Sequence, residues 1–582
     1  MGRSSCRAKG VAFVIFSILL IGAGGLPGAV FAQTIEAQLQ WAAEFTFPEY
    51  PLDGGLAIRA SETGDVYLGG ACKNEQNFFC AAKLSATGAV QWQTVYTNKA
   101  VRSPDAAIDA EGNVYFAGTY ATYDGVWWYL YPHNAKIGAD GAVAWHNTTP
   151  HEYGEGASVA VGADGNPVFG ASAYDYYKPP SPQGMGAFKY SPDNELLADG
   201  NEVGDGYAKM LTDVAVDAEG AMYATGVDIA FDPSLPNFFT VKYHADGTTA
   251  WWQRYNHPNS IIEKPVALGV APDGSVWVTG IVGSQYKDNE IFTLKYAADG
   301  TPLSFLPYGQ TGNDAPTDLA VDSLGGAVVV GAVTRLGQYD AVAIKYNEYG
   351  VPQWVWELDD APWGDDVINV AFFDAADNLY VGGYLRDGLK ENAFVARLTA
   401  DGATAWLIVY DGEEQQADEI VALSMDDQSA ILAAGTANQT LLKSDFLALR
   451  IAQSCDGCII AGECFDDGAV DPQSICRQCD ASADAFGWSP RDGIECDDGL
   501  FCNGADMCAA GECGVHEGDP CDAASEMCNE ETDTCDLAGD DDDDDDDAAD
   551  DDSDDDDDND DIADGGDDDG GDDDDDDGCG RH

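Results

Sequence analysis

Basic residues are scarce in this chain: 27 Lys and Arg stand against 104 Asp and Glu, a formal net charge of −77 over 582 residues. A polyanionic partner would meet Coulomb repulsion where nucleic-acid binding relies on counterion release, so nucleic acid is excluded as a ligand. Histidine is also rare, and none of the seven belongs to a recognisable constellation. His151-Glu152 opens like a zincin motif, but Glu155 occupies the place of its second histidine. No G-x-S-x-G elbow, phosphate loop or dinucleotide fingerprint occurs in the mature chain. No catalytic, cofactor-binding or metal-ligating residue is therefore named, and no cofactor is expected. Long apolar runs are missing as well: the stretch Val11 to Ile21 is well short of the ~20 residues a bilayer-spanning helix needs. No transmembrane segment is expected in the mature chain.

That same short run has another use. Arg3, Arg7 and Lys9 precede it, and Val30-Phe31-Ala32 follows it with the −3 and −1 positions a signal peptidase reads. Residues 1–32 read as a cleaved signal peptide, which makes the protein exported, to the cell surface or beyond it rather than to a periplasm. Apolar residues at 45% and aromatics at 10% are enough for a sizeable core despite the acidity.

Residues 33–453 repeat one unit eight times. A basic residue followed by an apolar or Tyr residue recurs at Lys83, Lys136, Lys189, Lys242, Lys295, Lys345, Arg397 and Arg450, with separations of 53, 53, 53, 53, 50, 52 and 53 residues. Five residues after each of the first seven stands Gly88, Gly141, Asn194, Gly247, Gly300, Gly350 or Gly402, all types that tolerate a left-handed turn. Four residues further come Trp92, Trp145, Trp251, Trp354 and Trp406. Within a unit, short alternating segments such as Asp213–Asp217, Met222–Gly226, Phe238–Tyr243 and Ala250–Tyr255 read as four strands. Four strands per ~50 residues is the pattern of a propeller blade. A Trp strand, Leu39–Phe45, precedes the first complete unit, and the last unit ends after Ile451 without one. The expectation is an all-β, eight-bladed β-propeller in which the N-terminal strand completes the last blade. The outer strand of the third unit, with Leu196-Leu197 and no Trp, fits least well.

These units resemble the bacterial SBBP-type β-propeller repeat, D-x-x-G-N-V-Y-x-x-G followed by K-Y-x-x-x-G-x-x-x-W. The likeness is carried by Glu111–Gly118, Asp273–Gly280, Asp377–Gly383 and the Lys-Tyr and Trp positions above. It implies the fold and leaves the function open, since such scaffolds carry many activities.

The cysteines divide into a clip and a cluster. Cys72 and Cys80 flank a connection within the first unit, where a hairpin brings Cα atoms to disulfide range. Twelve more fall between 455 and 535: Cys455, Cys458, Cys464, Cys476, Cys479, Cys496, Cys502, Cys508, Cys513, Cys521, Cys528 and Cys535. A low-apolar segment of this kind relies on cross-links, and residues 454–538 read as a module of six disulfides. The alternative is a four-thiolate zinc site, because Cys455-x2-Cys458-x17-Cys476-x2-Cys479 has that spacing. Residues 539–582 hold 28 aspartates and one arginine, so they read as a disordered spacer, suited to loose Ca²⁺ association without a shaped site.

One acidic position recurs inside the repeats. Asp105, Asp213 and Asp318 open the first strand of three units and could line an axial ligand ring; capping of nearby backbone amides is the ordinary use of such residues. The organisation as a whole points to a monomeric binding or display protein without catalytic activity, whose partner is an extracellular protein or glycan. The competing readings are a periplasmic quinoprotein-like oxidoreductase and a propeller hydrolase using the axial channel.

Overall fold

The computed structural model describes residues 35–537 with short gaps, the longest at 174–183; residues 1–32, read above as a signal peptide, and 539–582, read as an acidic spacer, lie outside the described residues. No α-helix occurs among those described, and the chain is built from strands with one short 3-10 turn, Phe501–Asn503. It divides into two compact units, residues up to Cys496 with Met507–Val515, and Asp497–Asp506 with the residues from His516 onward.

The first unit contains the repeats. Repeats 3 to 7 each form a separate four-stranded antiparallel meander in chain order. Repeat 6 is typical: Ala315–Val321, Ala327–Arg335, Gln338–Tyr346 and Pro352–Leu358. Its second and third strands are almost wholly buried, while the fourth alternates buried and exposed positions, as expected of a strand with one wet face. Repeats 1, 2 and 8 are linked into a larger sheet for two local reasons. The long strand Val90–Ile108 serves repeat 1 with its first half and repeat 2 with its second. A single parallel bridge, Leu52 to Ser444, joins repeat 1 to repeat 8.

Repeat 8 contributes three strands of its own, Asp418–Met425, Ile431–Thr440 and Lys443–Ser454. The N-terminal strand Glu36–Phe45 adds to the last of them, antiparallel, with Trp41 opposite Arg450. In the third repeat, Leu196–Glu202 does pair as a fourth strand. Ala198 there faces Lys189, the place where Lys136 faces Trp145 in the repeat before.

No repeat owns its core. The buried apolar side chains fall into eight clusters, seven shared by two successive repeats and one by the first and the last, as expected where one unit cannot bury its own apolar face. One of them joins Leu68, Cys72 and Cys80 of repeat 1 to Leu432 and Phe446 of repeat 8. The repeated Gly and Trp supply a second join. Gly402 turns with φ of +84°, and the indole of Trp354, one repeat earlier, lies where a Gly402 Cβ would stand, 2.7 Å away. Trp354 Nε1 also donates to the carbonyl of Ala400 in that turn at 2.9 Å; Trp251 and Ala298, and Trp145 and Pro192, do the same at 2.9 Å. The recurring basic residues are absorbed structurally. Lys83 lies 5.0 Å from the centre of the Tyr67 ring and 2.8 Å from Asp65, and Lys242 lies over the Tyr223 ring, each ammonium held on an aromatic face.

Beyond the repeats, the first unit continues into the hairpin Gly457–Ile460 with Glu463–Asp466 and a small sheet of Val470–Asp471, Ser474–Asp480 and Asp484–Pro490. Disulfides Cys455–Cys464, Cys458–Cys479, Cys476–Cys508 and Cys496–Cys513 cross-link this part, and Cys72–Cys80 clips repeat 1. The second unit holds Cys502–Cys528 and Cys521–Cys535.

Candidate functional site

The first strand of every repeat carries a bulge, seen as a register shift against its second strand at Gly55/Ala57, Arg102/Asp105, Leu211/Asp213, Pro265/Ala267, Pro316/Asp318, Ile368/Val370 and Ile420/Ala422, and in repeat 3 opposite Gly170/Ala171. A bulge re-aims the side chain that follows it. In chain order the residues so placed are Ala57, Asp105, Ser158, Asp213, Ala267, Asp318, Val370 and Ala422. Three of the eight are the aspartates singled out by the sequence.

The structure brings those three around one cavity of about 340 Å³, lined also by Pro104, Ser158, Thr212, Val266, Ala267 and Thr317. Each carboxylate accepts the amide of the next residue in its own strand, at 2.8 Å in all three cases. Each also reaches the following repeat: Asp105 accepts from the amide of Val159, Asp213 from Leu268 and Asp318 from Ala371, all at 2.9 Å. The Ser158 hydroxyl donates to Asp213 at 3.0 Å. Capping and cavity lining thus coexist in the same side chains, and the capping spans two repeats rather than one.

Burial raises all three carboxyls. Asp213 is pushed up to about 7, with repulsion from Asp105 adding to the loss of solvation. Asp318 is pushed up to about 6 by burial, and Asp105 moves in the same direction for the same reason. Amides donating to the carboxylates oppose these shifts without cancelling them. Near neutral pH the cavity therefore presents a mixture of carboxyl and carboxylate together with the hydroxyls of Ser158, Thr212 and Thr317. Such a surface can donate and accept hydrogen bonds to a polar ligand. Its lining holds no histidine, lysine or arginine.

A second set of acids lies four residues before the ring position and was not singled out in the sequence: Asp53, Glu263, Asp314, Asp366 and Asp418, all buried. They hold backbone amides from other segments. Asp53 accepts from Phe47 at 2.8 Å, Glu263 from His257 at 2.7 Å, Asp418 from Gly412 at 2.8 Å, Asp314 from Thr334 at 2.7 Å and Asp366 from Arg386 at 2.9 Å. The signal was present as an acid four residues ahead of the post-bulge position in five repeats. Its meaning depends on where the preceding loop passes, which spacing does not reveal.

The four cysteines with zinc-site spacing fall in three disulfides: Cys455 with Cys464, Cys458 with Cys479 and Cys476 with Cys508. In the second unit His516 Nδ1 lies 2.8 Å from Asp506 and 3.8 Å from Asp498. The His516 contact holds the Asp506 carboxyl below its ordinary range.

No family model matches this chain, and no curated protein matches it. Solved structures superpose loosely. A protein of unknown function from Dyadobacter fermentans does so with a TM-score of 0.32 at 11% identity, over 55% of this chain and 97% of its own. An ulvan lyase, a polysaccharide lyase, gives 0.38 at 8% identity over 63% of this chain and 96% of its own. A puromycin hydrolase mutant gives 0.37 at 14% identity over 59% of this chain and 50% of its own. The site is accordingly read on its own chemistry.

Proposed function

We propose that the chain is an exported eight-bladed β-propeller of SBBP-type repeats that binds or displays, without catalysis, toward an extracellular protein or glycan. The observation that carries this reading is the set of shared cores, in which each repeat packs on the next and repeat 8 packs on repeat 1. Contacts between the first strands of successive repeats, including Leu52–Ala60 with Asp418–Met425, support ring closure. A ring locked by shared cores, Trp-on-Gly joins and bridging carboxylates is a stiff platform, and recognition on such platforms ordinarily falls to the loops or to the axial cavity. Seven disulfides fit an oxidising compartment. In this scheme the Cys-rich segment 454–538 is a stem, and the acidic segment 539–582 is a solvated spacer with loose affinity for Ca²⁺.

The axial carboxylates favour the binding reading over a catalytic one. Both oxygens of each already accept backbone amides, so their first task is to join repeats. A second reading, an axial hydrolase, has one observation of its own: the Ser158 hydroxyl donates to Asp213, whose carboxyl is pushed up to about 7. Glycan and protein arrays probed with the purified mature chain test the first reading, and a hit weakened by Asp213→Asn or Asp318→Asn would place the ligand at the cavity. Turnover of ester, lactone or polysaccharide substrates that disappears in Ser158→Ala would replace binding with hydrolysis. Dye-linked dehydrogenase activity after addition of quinone and Ca²⁺ would replace it with oxidation.

A further inference from the structure

The seam between the first and last repeats contains two buried acids. Leu52 bridges Ser444 in parallel register, so Asp53 and Asp445 each stand one residue beyond that bridge, close enough for Asp445 to raise the Asp53 carboxyl by repulsion. The Ser444 hydroxyl accepts from the Asp53 amide at 3.0 Å and donates to the Asp53 carbonyl at 2.9 Å. Asp53 is 3% exposed and Asp445 2%. One oxygen of Asp53, Oδ2, accepts from the Phe47 amide; the other, Oδ1, is buried without a hydrogen-bond partner. Phe47 belongs to the connector between the N-terminal strand and repeat 1, and its ring lies 5.0 Å from that of Phe446 on the last strand. Asp53 thus touches the connector, the first repeat and the last repeat at once.

We propose that Asp53 and Asp445 carry a single proton between them, so that the seam of the ring is held while the proton is bound and loosens when it is lost to solvent. The proposal rests on the closed-ring reading above. Two buried carboxylates cannot both be charged cheaply, and the usual resolution is that one stays protonated. Burial pushes the Asp53 carboxyl up to about 7, and repulsion from Asp445 adds to this.

The charged side chains acting on Asp53 are Asp445, which raises it, and Lys443, which lowers it; the backbone of Lys73, at the end of the strand Val66–Lys73, also lowers it. The strand Ile431–Thr440 is neutral throughout. On the remaining packed strands, Asp418 is engaged with Gly412 and Glu419 with Asn369, while Asp105 is engaged with Val159. A metal cation is the poorer tenant, because the Lys443 ammonium already lies 3.9 Å from Asp445 and a single remaining negative charge matches it.

Asp366 and Asp340 occupy the corresponding place between repeats 6 and 7, where the Asp366 amide donates to the Tyr339 carbonyl at 2.7 Å. There the chain itself runs from one repeat to the next. At the closure seam the two repeats are chain-distant, so lost affinity between them opens the ring rather than only straining it.

Hydrogen–deuterium exchange of the full chain, corrected for intrinsic pH dependence, tests the proposal at pH 5.5 and pH 8. Peptides covering 36–45 and 443–454 should lose protection at least tenfold at pH 8 relative to peptides from repeats 5 and 6. Asp53→Asn keeps an acceptor for Phe47 and should make that ratio independent of pH, and Asp445→Asn should do the same should the first variant fail to fold. Wild-type protection that does not change with pH, or the same change in both variants, overturns the proposal. Stoichiometric Ca²⁺ binding that restores protection at pH 8 overturns it in favour of a cation site. Peptides 36–45 unprotected at both pH values would instead remove the closed ring itself.

Discussion

The Trp41 indole lies over the Gly88 turn, where a Cβ on Gly88 would meet it at 2.9 Å, and its Nε1 donates to the carbonyl of Ala86 at 3.0 Å. This is the join that Trp251 makes with Gly300 and Trp354 with Gly402 inside the repeat array. Here it is made by the strand that comes first in the described chain while it pairs with the strand that ends the last repeat.

Trp41→Ala should remove that join and a large, partly buried side chain, at a cost of about 2–3 kcal/mol. Trp251→Ala should cost a similar amount. Only Trp41→Ala should expose residues 36–45 to limited proteolysis, because only that strand is held without a preceding repeat. Equal protease sensitivity of the N-terminal strand in both variants would contradict its closing role.

Two glycines separate backbone strain from steric conflict. Gly165 has φ of +74° and open space where a Cβ would stand, whereas Gly402 has φ of +84° and the Trp354 ring 2.7 Å away. Gly165→Ala should cost about 1 kcal/mol from the left-handed conformation alone. Gly402→Ala should cost at least about twice that, since the indole must move as well. Urea denaturation with unchanged slope is the measurement, and equal costs would show that the Trp contact is slack.

Stability should fall as pH rises. Asp53, Asp213 and Glu263 are pushed up to about 7 by burial, and Asp318 to about 6. An acid whose folded pKa lies above its unfolded value binds more protons in the folded state. Its stabilising contribution is full below about pH 4 and is lost as pH climbs through the folded value. Relief of the net charge of −77 acts in the same direction. Melting temperatures should be higher at pH 5 than at pH 8, and Glu263→Gln should flatten the profile by on the order of 1 kcal/mol. A profile that rises toward pH 8 would mean these acids are charged in the folded protein.

Thiol counting under denaturing, non-reducing conditions should find at most two free thiols, those of Cys6 and Cys579, because the other fourteen cysteines are paired. Cys72→Ser with Cys80→Ser should cost about 2 kcal/mol and leave the repeats folded. Reduction should instead open residues 454–537 to proteolysis, since that region has few buried apolar side chains besides its cysteines. Protease resistance there after reduction would show a core that burial does not suggest.

Much was legible before any coordinates. The spacing of Lys83 to Arg450 marks the repeats, the alternation within each marks strands, and the lone Trp41 strand pairs with an incomplete last repeat. These are local or periodic properties, and a periodic chain writes the same local physics many times over. The turn glycines could be recognised by type, but not that Trp41, Trp92, Trp251 and Trp354 would each lie over the glycine of the following repeat. Asp105, Asp213 and Asp318 stood out by recurrence, yet the sequence could not choose between capping and lining, because that choice depends on a neighbouring strand some fifty residues away. The cysteine partners were equally closed to inspection: C-x2-C spacing offered one shared site for Cys455, Cys458, Cys476 and Cys479 as the alternative to disulfides, and the fold distributes the four over three disulfides, with Cys458 and Cys479 paired to each other. The buried acids Asp53 and Glu263 shared a recurring place with Asp314, Asp366 and Asp418, but the amides they hold come from loops whose course the spacing does not reveal. Sequence alone determined the unit and its number of copies, since both follow from backbone preference and periodicity. What each polar side chain meets was decided by tertiary structure, because burial, charge proximity and hydrogen-bond partners arise only when one repeat is laid against the next.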